Sequence, residues 1–515
     1  MDEFLARLSQ PFFMHILELL PSDVPFYLVG GAVRDALLGR TSFDLDFVTP
    51  GDSLKLARKL ADDLGGAYFP LDTRRNVARI ILKPKEGSNN GYTRPIKLDI
   101  SRFQGADLDG DLRGRDFTIN AMALDVHHLD QLVDPLHGAE DLLKKRLQAC
   151  SANSMSDDPV RILRAVRFSV DLKLKILAET LNQIRAAIPS LPEVSAERLR
   201  DELFRILLLA RPSIALRLLD MLEVLEYILP EVCVLKDVKQ GPPHVMDVWG
   251  HTLDILSRME NLLEVLSPNY DPDKAGNLSL GMVVLRLGRF RQQLAWHLNS
   301  ALNPDRPHRG LIFLAALYHD VGKLATQSVD EKGVIRFLGH DQIGGQLAEK
   351  RARALKLSKL EINRLVNIVS HHMRPSLLSH PKDAPSRKAV YHFFRDTGAA
   401  GVDICLLSLA DVQATYGPTL PQDRWDRHLD VVRTLLSAWW EDKTEKALPP
   451  TLINGDDLQE ELAVPPGPII GYLLESIREA QVGGEVSSRE QAVQLARGIL
   501  QANFTQGGSE NKPSD

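Results

Sequence analysis

The sequence contains no apolar run of the roughly 18–20 residues needed to cross a bilayer, which argues against a helical membrane protein. Cysteine is scarce: Cys150, Cys233 and Cys405 are the only three in 515 residues, far apart and in no metal-ligand spacing. That excludes a disulfide-stapled miniprotein and suits a reducing compartment. The opening stretch, residues 1–13, lacks a charged segment leading into an apolar core and a small-residue cleavage site, so no export signal is expected. Neither charge sign dominates, since 62 basic and 68 acidic side chains leave a formal net charge of −6. Nucleic acid would therefore bind through a local basic patch and not through the bulk field. There is no internal repeat or long low-complexity tract. With 44% hydrophobic and 25% charged residues, wholesale disorder and a collagen-like repeat are excluded as well. The expectation is a cytoplasmic protein of three to four domains, at about 150 residues each.

What is present changes character along the chain. Residues 26–29 form a short apolar run ending in Gly30-Gly31, followed by a helical pattern over 32–38 that Gly39 closes. Residues 43–48 alternate with period two and read as a strand, as do 77–82 and 96–100. Between the last two, the Gly/Asn/Ser-rich stretch 83–94 reads as a hairpin or mobile loop. From Pro159 onward, apolar residues recur three or four apart over 160–168, 178–188, 195–209 and 214–225, which predicts helices, with Ser195 as a cap. Pro230 and Gly241-Pro242-Pro243 mark a boundary, and 448–450 marks another. The region between them, 244–441, is helical and studded with histidines. Residues 506–515 are polar and predicted to be disordered.

Asp44 and Asp46 lie two apart on a predicted strand, so both carboxylates leave the same face. Two anionic groups that close repel unless a cation sits between them. A pair of Mg²⁺ ions roughly 3.5–4 Å apart would serve, one activating an attacking hydroxyl and the other holding a triphosphate. An Asp-x-Asp pair alone is equally a solvated strand edge. Just ahead of it, Gly30-Gly31 offers bare backbone to phosphate oxygens, or is simply a tight turn, and Arg34 one turn on adds a charge-assisted contact.

Joined in order, Gly30-Gly31-x-x-Arg34-Asp35, Leu38-Gly39-Arg40 and Asp44-x-Asp46-Phe47 resemble the class II tRNA nucleotidyltransferase and bacterial poly(A) polymerase family. Arg113-Gly114-Arg115-Asp116-Phe117-Thr118-Ile119-Asn120-Ala121-Met122-Ala123 is similar to its RRDFTINAMA block, which implies that Arg115, Asp116 and Asn120 serve the sugar and triphosphate. Gly114 stands where the family carries the first arginine, with Arg113 one place earlier. Asp134-Pro135, Gly138 and Asp141-Leu142 match a structural connection. Asp157-Asp158-Pro159-Val160-Arg161, with Arg164 and Arg167 following, resembles the EDxxR template motif. There a carboxylate accepts from a base amino group while a guanidinium donates beside it, so Asp158 and Arg161 would meet the Watson–Crick edge of C or A. The bland alternative is an i,i+3 surface ion pair. Residues 195–203 resemble the next helical block, read as a brace for that template. Asp99 stands where relatives often carry Glu and is a candidate third acid.

Farther on, His251, His319-Asp320 and Asp411 resemble the H…HD…D signature of HD-domain metal-dependent phosphohydrolases, and His340 and His372 match extra histidines of that superfamily. The resemblance implies a divalent metal of unknown identity there, and a site able to polarise a phosphate oxygen. The alternative is an HD fold that uses these residues structurally. The stretches 453–458 and 466–471 match the end of these enzymes, so the likeness spans about residues 22–500.

The implied fold class is α+β: a small mixed α/β nucleotidyltransferase head (1–150), a mostly α-helical neck that selects the base and binds RNA (151–240), an HD domain (241–445), a C-terminal helical segment (446–505) and a tail (506–515). The implied activity is template-independent transfer of CMP and AMP from CTP and ATP to the 3′ end of tRNA, using Mg²⁺ at Asp44 and Asp46. Candidate RNA contacts are Lys144, Lys145, Arg146, Lys350, Arg351 and Arg353. Enzymes adding only CC, only A or poly(A) belong to the same family. Readings of another class are an HD phosphodiesterase or phosphatase with a non-catalytic RNA-binding head, and a non-catalytic RNA chaperone. No membrane partner is implied.

Overall fold

The computed structural model of the chain describes residues 11–22, 24–84, 95–271, 276–304, 306–379 and 384–507. The chain divides into two compact units, Met1–Leu209 with Leu218–Tyr227, and Ala210–Arg217 with Ile228–Asp515. No helix of the described residues is long and apolar enough to cross a membrane.

The first unit is built on a seven-stranded sheet: β1 (Tyr27–Val29), β2 (Asp44–Thr49), β3 (Ala67–Asp72), β4 (Val77–Leu82), β5 (Ile96–Arg102), β6 (Ala123–Asp125) and β7 (Leu132–Val133). Their order across the sheet is β3-β4-β5-β2-β1-β6-β7. β2 and β5 run parallel, and the other neighbours are antiparallel. Alternation does its usual work here: Leu45 and Phe47 of β2 turn into a core with Phe26, Leu28, Ile80, Leu98 and Ile100, so Asp44 and Asp46 turn out of it. Phe26 stacks on Phe47 with ring centroids 5.0 Å apart.

The helix Ser53–Leu64, β3, β6 and β7 are elements that the strand and helix expectations above did not include. The helix is capped by Asp52, whose side chain accepts from the Lys55 N–H at 3.2 Å, and Ala57, Leu60 and Ala61 form its buried stripe. The stretch expected as a hairpin at 83–94 lies, from residue 85, outside the described residues. Helices Arg161–Asp171, Ala178–Ala187 and Ala196–Leu207 complete this unit's helical part.

The second unit is almost wholly helical. Val248–Val265, His308–Tyr318, His340–Ala354, Lys359–His371 and Ala400–Tyr416 are its central helices. Ser358 and Glu361 form a capping box, and the same Glu361 carboxylate takes both arms of Arg306 at 2.7 and 2.9 Å. Helices Gly455–Leu462, Pro468–Gly483 and Arg489–Gly507 pack around a separate apolar cluster that includes Leu458, Leu473, Ile477 and Ala492. Residues 506 and 507, expected in a disordered tail, end the last of these helices, and 508–515 lie outside the described residues. The architecture is α+β, a mixed-sheet head followed by helices.

Candidate active site

The face of β2 opposite the core opens into a cleft of about 700 Å³ within the first unit. Asp44 and Asp46 line it together with Gly30, Gly31, Arg34, Arg115, Asp116, Asn120, Asp158, Arg161, Arg164 and Arg167. These head and template residues singled out from the sequence therefore line a single cavity, with the candidate third acid, Asp99, outside its lining. Among the described residues neither Asp44 nor Asp46 forms a salt bridge. Asp46 is wetted by the cleft yet crowded by protein on most sides. That crowding, then the nearby charges of Asp99 and Asp44, pushes its carboxyl up to about 6 against the pull of Arg115 and Arg164. Two carboxylates short of positive charge at the floor of a cleft suit a divalent cation.

Gly30 shows how tightly the floor is built. Its φ is 72°, and a Cβ there would stand 3.0 Å from Arg115 Nη1 and 3.6 Å from Asp46 Oδ2. A side chain at this turn would be strained and would part the two charged groups. Asp99 lies beside Asp46 in register across the parallel β2–β5 pair, but Arg79 grips its carboxylate with two bonds of 2.8 Å. The third acid is thus adjacent to the pair and already neutralised.

The arginines are held by acids that point them inward. Arg34 donates to Asp35 and, at 2.7 Å, to the Asn120 side-chain oxygen. Arg115 reaches Asp111 at 3.1 and 3.2 Å. Asp116 accepts from the Phe117 N–H, from Asn120 and, at 2.8 Å, from Arg164 Nε. Burial alone would raise the Asp116 carboxyl, but Arg164 and these hydrogen bonds hold it below its ordinary range. Glu202 takes Arg167 at 2.9 Å and Arg164 at 3.4 Å. Three guanidinium groups surround one ring, Phe168: Arg167 at 4.3 Å, Arg34 at 5.0 Å and Arg164 at 5.5 Å. Arg113, one place before the family's usual position, faces away and pairs with Asp109 at 2.7 Å on the surface.

Asp111, Arg198, Asp201, Glu202 and Arg205 also line the cleft, and sequence reasoning assigned none of them to it. The signal available was the helical block 195–203, read as a brace. Glu202 does brace Arg164 and Arg167, while Arg198 stands at Asp158, with Nη2 2.6 Å from Oδ2. Arg161 lies 3.9 Å from the same oxygen, but its two terminal nitrogens donate to the backbone carbonyls of Gly114 (3.0 Å) and Arg115 (3.1 Å) and to Ser154.

The second unit contains a buried histidine cluster. His251 comes from the helix Val248–Val265, His319 and Asp320 follow His308–Tyr318, His340 opens His340–Ala354, His372 follows Lys359–His371, and Asp411 lies in Ala400–Tyr416. The four histidines converge on Asp320: His319 Nε2 is 3.0 Å from Oδ2, His251 Nε2 3.7 Å from Oδ2, and His340 and His372 Nε2 are 3.4 and 3.9 Å from Oδ1. His251 Nε2 also stands 3.1 Å from Asp411 Oδ1. The Nδ1 atoms of His319, His340 and His372 lie 2.8, 2.8 and 2.7 Å from the carbonyls of Ala316, Phe337 and Val369. A carbonyl can only accept, so each Nδ1 carries a hydrogen and each Nε2 is turned toward the centre, where it offers a lone pair when the ring is neutral.

Those Nε2 atoms, with that of His251, are buried and without hydrogen-bond partners, the arrangement of a metal-ligand set. Burial and the neighbouring His319 push His372 down to about 4, which keeps its ring neutral. Gly322 makes the convergence possible, since a Cβ there would fall 2.1 Å from the His340 carbonyl oxygen. Lys323, which the sequence reading did not single out, stands with Nζ 2.6 Å from Asp320 Oδ2 and donates to Gln240 at 2.8 Å. His371, adjacent to His372 in sequence, bonds the Asn367 carbonyl and stays outside the metal-ligand groups.

The expected RNA contacts fare unevenly. Arg351 is already engaged within the protein: its Nε and Nη2 both bind Glu231, at 2.9 and 2.8 Å, and Tyr318 donates to the same carboxylate. It is a half-buried brace of the second unit with its fork already engaged. Lys144 pairs with Glu140 and Arg353 with Glu349, each one helical turn away. Lys145, Arg146 and Lys350 are exposed.

Known proteins resemble this chain along most of its length. The Poly A polymerase head domain model matches residues 26–148, the HD domain model 284–412, and tRNA nucleotidyltransferase domain 2 matches 439–496. His251 falls outside the HD match and joins the centre only in three dimensions. An A-adding tRNA nucleotidyltransferase of Deinococcus radiodurans is 31% identical over 90% of this chain and 93% of its own length. A CC-adding tRNA nucleotidyltransferase of Geobacter sulfurreducens is equally 31% identical, over 90% of each. A CCA-adding enzyme solved with CTP shares the fold, with a TM-score of 0.59 at 19% identity over 97% of this chain and 98% of that one. With near-full-length relatives at this identity, and acidic, arginine-rich and histidine sites built as described, this chain is a nucleotidyltransferase of the tRNA nucleotidyltransferase family, carrying an HD domain.

Proposed function

We propose that this enzyme adds nucleotides from CTP and ATP to the 3′ end of tRNA, without a nucleic-acid template, in the cytoplasm. The observation that carries the reading is the cleft itself: two unpaired strand carboxylates and a set of arginines line it together with Asp158. Asp44 and Asp46 would hold Mg²⁺, which when bound supplies charge stabilisation to the triphosphate and lowers the pKa of the attacking hydroxyl. The chain's own residues do the rest. The Gly30-Gly31 turn lets the backbone approach phosphate oxygens, and Arg34, Arg115, Arg164 and Arg167 offset their charge. Asp116 and Asn120 fix those arginines and orient the sugar. Asp158 accepts from the exocyclic amino group that C and A share and that U lacks. Lys145, Arg146 and Lys350 are the exposed cations left for the RNA backbone, which predicts binding that weakens steeply with salt. The divisions near residues 150, 240 and 445 belong to the same proposal.

Incubating the full chain and Mg²⁺ with tRNA lacking its terminal CCA, with CTP and ATP singly and together, tests the reading. Incorporation of labelled CMP or AMP is expected, and the products distinguish CCA, CC-only, A-only and poly(A) addition. No incorporation from either nucleotide would overturn it. The orphaned imidazoles around Asp320 favour a second activity in the same chain, metal-dependent hydrolysis of a phosphate ester. The metal bound there is to be identified by elemental analysis.

A further inference from the structure

Resting on the metal assignment of the reading above, we infer that Asp111 is a positioning residue whose grip on Arg115 keeps that guanidinium from closing on Asp46, so that the strand carboxylates stay open to a divalent cation. An unpaired carboxylate attracts any cation within reach, and a long arginine side chain is one that the protein itself can supply.

Arg115 is within reach. A Cβ on Gly30 would stand 3.0 Å from Arg115 Nη1 and 3.6 Å from Asp46 Oδ2, so both groups adjoin the same side of that turn. The charge of Arg115 is felt at Asp46, where it opposes the rise that crowding causes. Even so, the ion pair that Arg115 forms among the described residues is with Asp111 and not with Asp46.

Asp111 is built to hold it. Its Oδ2 takes Arg115 Nε at 3.2 Å and Nη2 at 3.1 Å, which engages one edge of the guanidinium and leaves Nη1 as the end turned toward Gly30. Its Oδ1 accepts from the Gln104 N–H at 2.9 Å, and the side chain is only 4% exposed. The helix that carries it, Leu108–Arg113, is itself tightly seated: a Cβ on Gly105 would fall 2.7 Å from the Gly110 carbonyl carbon and 2.9 Å from the Asp111 nitrogen. A buried carboxylate with both oxygens engaged does not swing, and neither does the guanidinium it grips. Arg115 can then offset triphosphate charge in the cleft without taking a metal ligand. With Asp111 neutral, the guanidinium loses its anchor and the free carboxylate beside it is that of Asp46.

The test is a Mn²⁺ titration of the full chain without nucleotide, followed by electron paramagnetic resonance, with Asp46→Ala defining which ions belong to the head. Asp111→Asn is expected to weaken Mn²⁺ binding at the head by about ten- to a hundredfold, the range for perturbing a group just outside a ligand set. Adding Arg115→Gln to Asp111→Asn is expected to bring the affinity back to that of Arg115→Gln alone, because the competing guanidinium is gone. Simple bracing of the Gln104 loop by Asp111 predicts no such rescue. Asp111→Glu, which keeps the charge, is expected to retain most of the wild-type affinity, and Asp111→Ser replaces the Asn variant if that one does not fold. Wild-type affinity in Asp111→Asn, or a loss that persists once Arg115 is also replaced, overturns the inference. If Asp46→Ala leaves Mn²⁺ binding by the wild-type chain unchanged, the metal assignment itself is wrong and the inference falls with it.

Discussion

The head cleft and the histidine centre solve opposite electrostatic problems. In the cleft, Asp44 and Asp46 carry no ion-pair partner among the described residues, and crowding, then the charges of Asp99 and Asp44, raise Asp46. In the histidine centre, burial would raise Asp320 too, yet His319, Lys323 and His251 hold its carboxyl well below the ordinary range. One site has anionic ligands awaiting a cation, and the other has two acids, Asp320 and Asp411, ringed by imidazole nitrogens. The first suits a hard, oxygen-seeking ion and the second a nitrogen-seeking transition metal. Two metal-type sites in one chain thus differ in which change of conditions disables each.

The largest expected break between them comes from Asp46→Ala. Nucleotide incorporation should fall by about a thousandfold or more, since several kcal/mol of charge stabilisation is lost, while metal bound at the histidine centre, read by elemental analysis, stays the same. Equal loss at both sites would dissolve the comparison.

A contrast within one helix sharpens it further. Asp403 and Asp411 both lie in Ala400–Tyr416, and both are held low in pKa, but Asp403 binds His297 at 2.8 Å and Arg364 at 2.6 Å and touches no metal-ligand group. Asp403→Asn should cost about 3–5 kcal/mol in denaturant unfolding, because Arg364 is left buried with its partner gone, with metal content unchanged. Asp411→Asn should do the reverse, losing metal with a smaller effect on unfolding.

Third, His319→Ala should weaken metal retention by about ten- to a hundredfold or more, by analogy with losses caused by perturbing even outer-sphere partners. Incorporation of CMP or AMP should persist.

The smallest effects are those of pH on the head. A carboxyl raised to about 6 is protonated as the pH falls through that value, and a proton competes with a cation for the same oxygens. Mg²⁺ affinity at the head should therefore drop by up to about tenfold per unit below pH 6. Without metal, the ionised Asp46 disfavours the fold above pH 6 and ceases to do so as it protonates. Asp46→Asn should accordingly raise the metal-free melting temperature at pH 7.5 by about 2 °C. A lower melting temperature would mean that Asp46 is stabilised by contacts in the metal-free protein.

Much of the head cleft is legible in the amino-acid order. Asp44 and Asp46 share a face because a strand repeats every two residues, and Gly30, Gly31 and Arg34 follow a strand-to-helix turn that is local in sequence. The expectation for the Asp158–Arg161 pair rests on one helical turn of spacing, which speaks to position alone. Asp158 does reach the cleft, but the spacing says nothing of the backbone at 114–115 that takes up Arg161. Arg351 shows the same limit from the other side. An exposed-looking helix arginine belongs to Glu231, 120 residues earlier.

By itself, the amino-acid order determined the α+β class, the strand-borne acid pair and the order of its motifs, since these depend on backbone periodicity over a few residues. Tertiary structure alone decided which partners each charged group has: Arg79 beside Asp99, Glu202 beneath Arg164 and Arg167, Arg198 at Asp158, and three separate segments closing on Asp320. Spacing along a chain governs contacts within one element. Contacts between elements depend on how buried faces pack, and that packing places side chains far apart in sequence within 3.4–3.9 Å of one another.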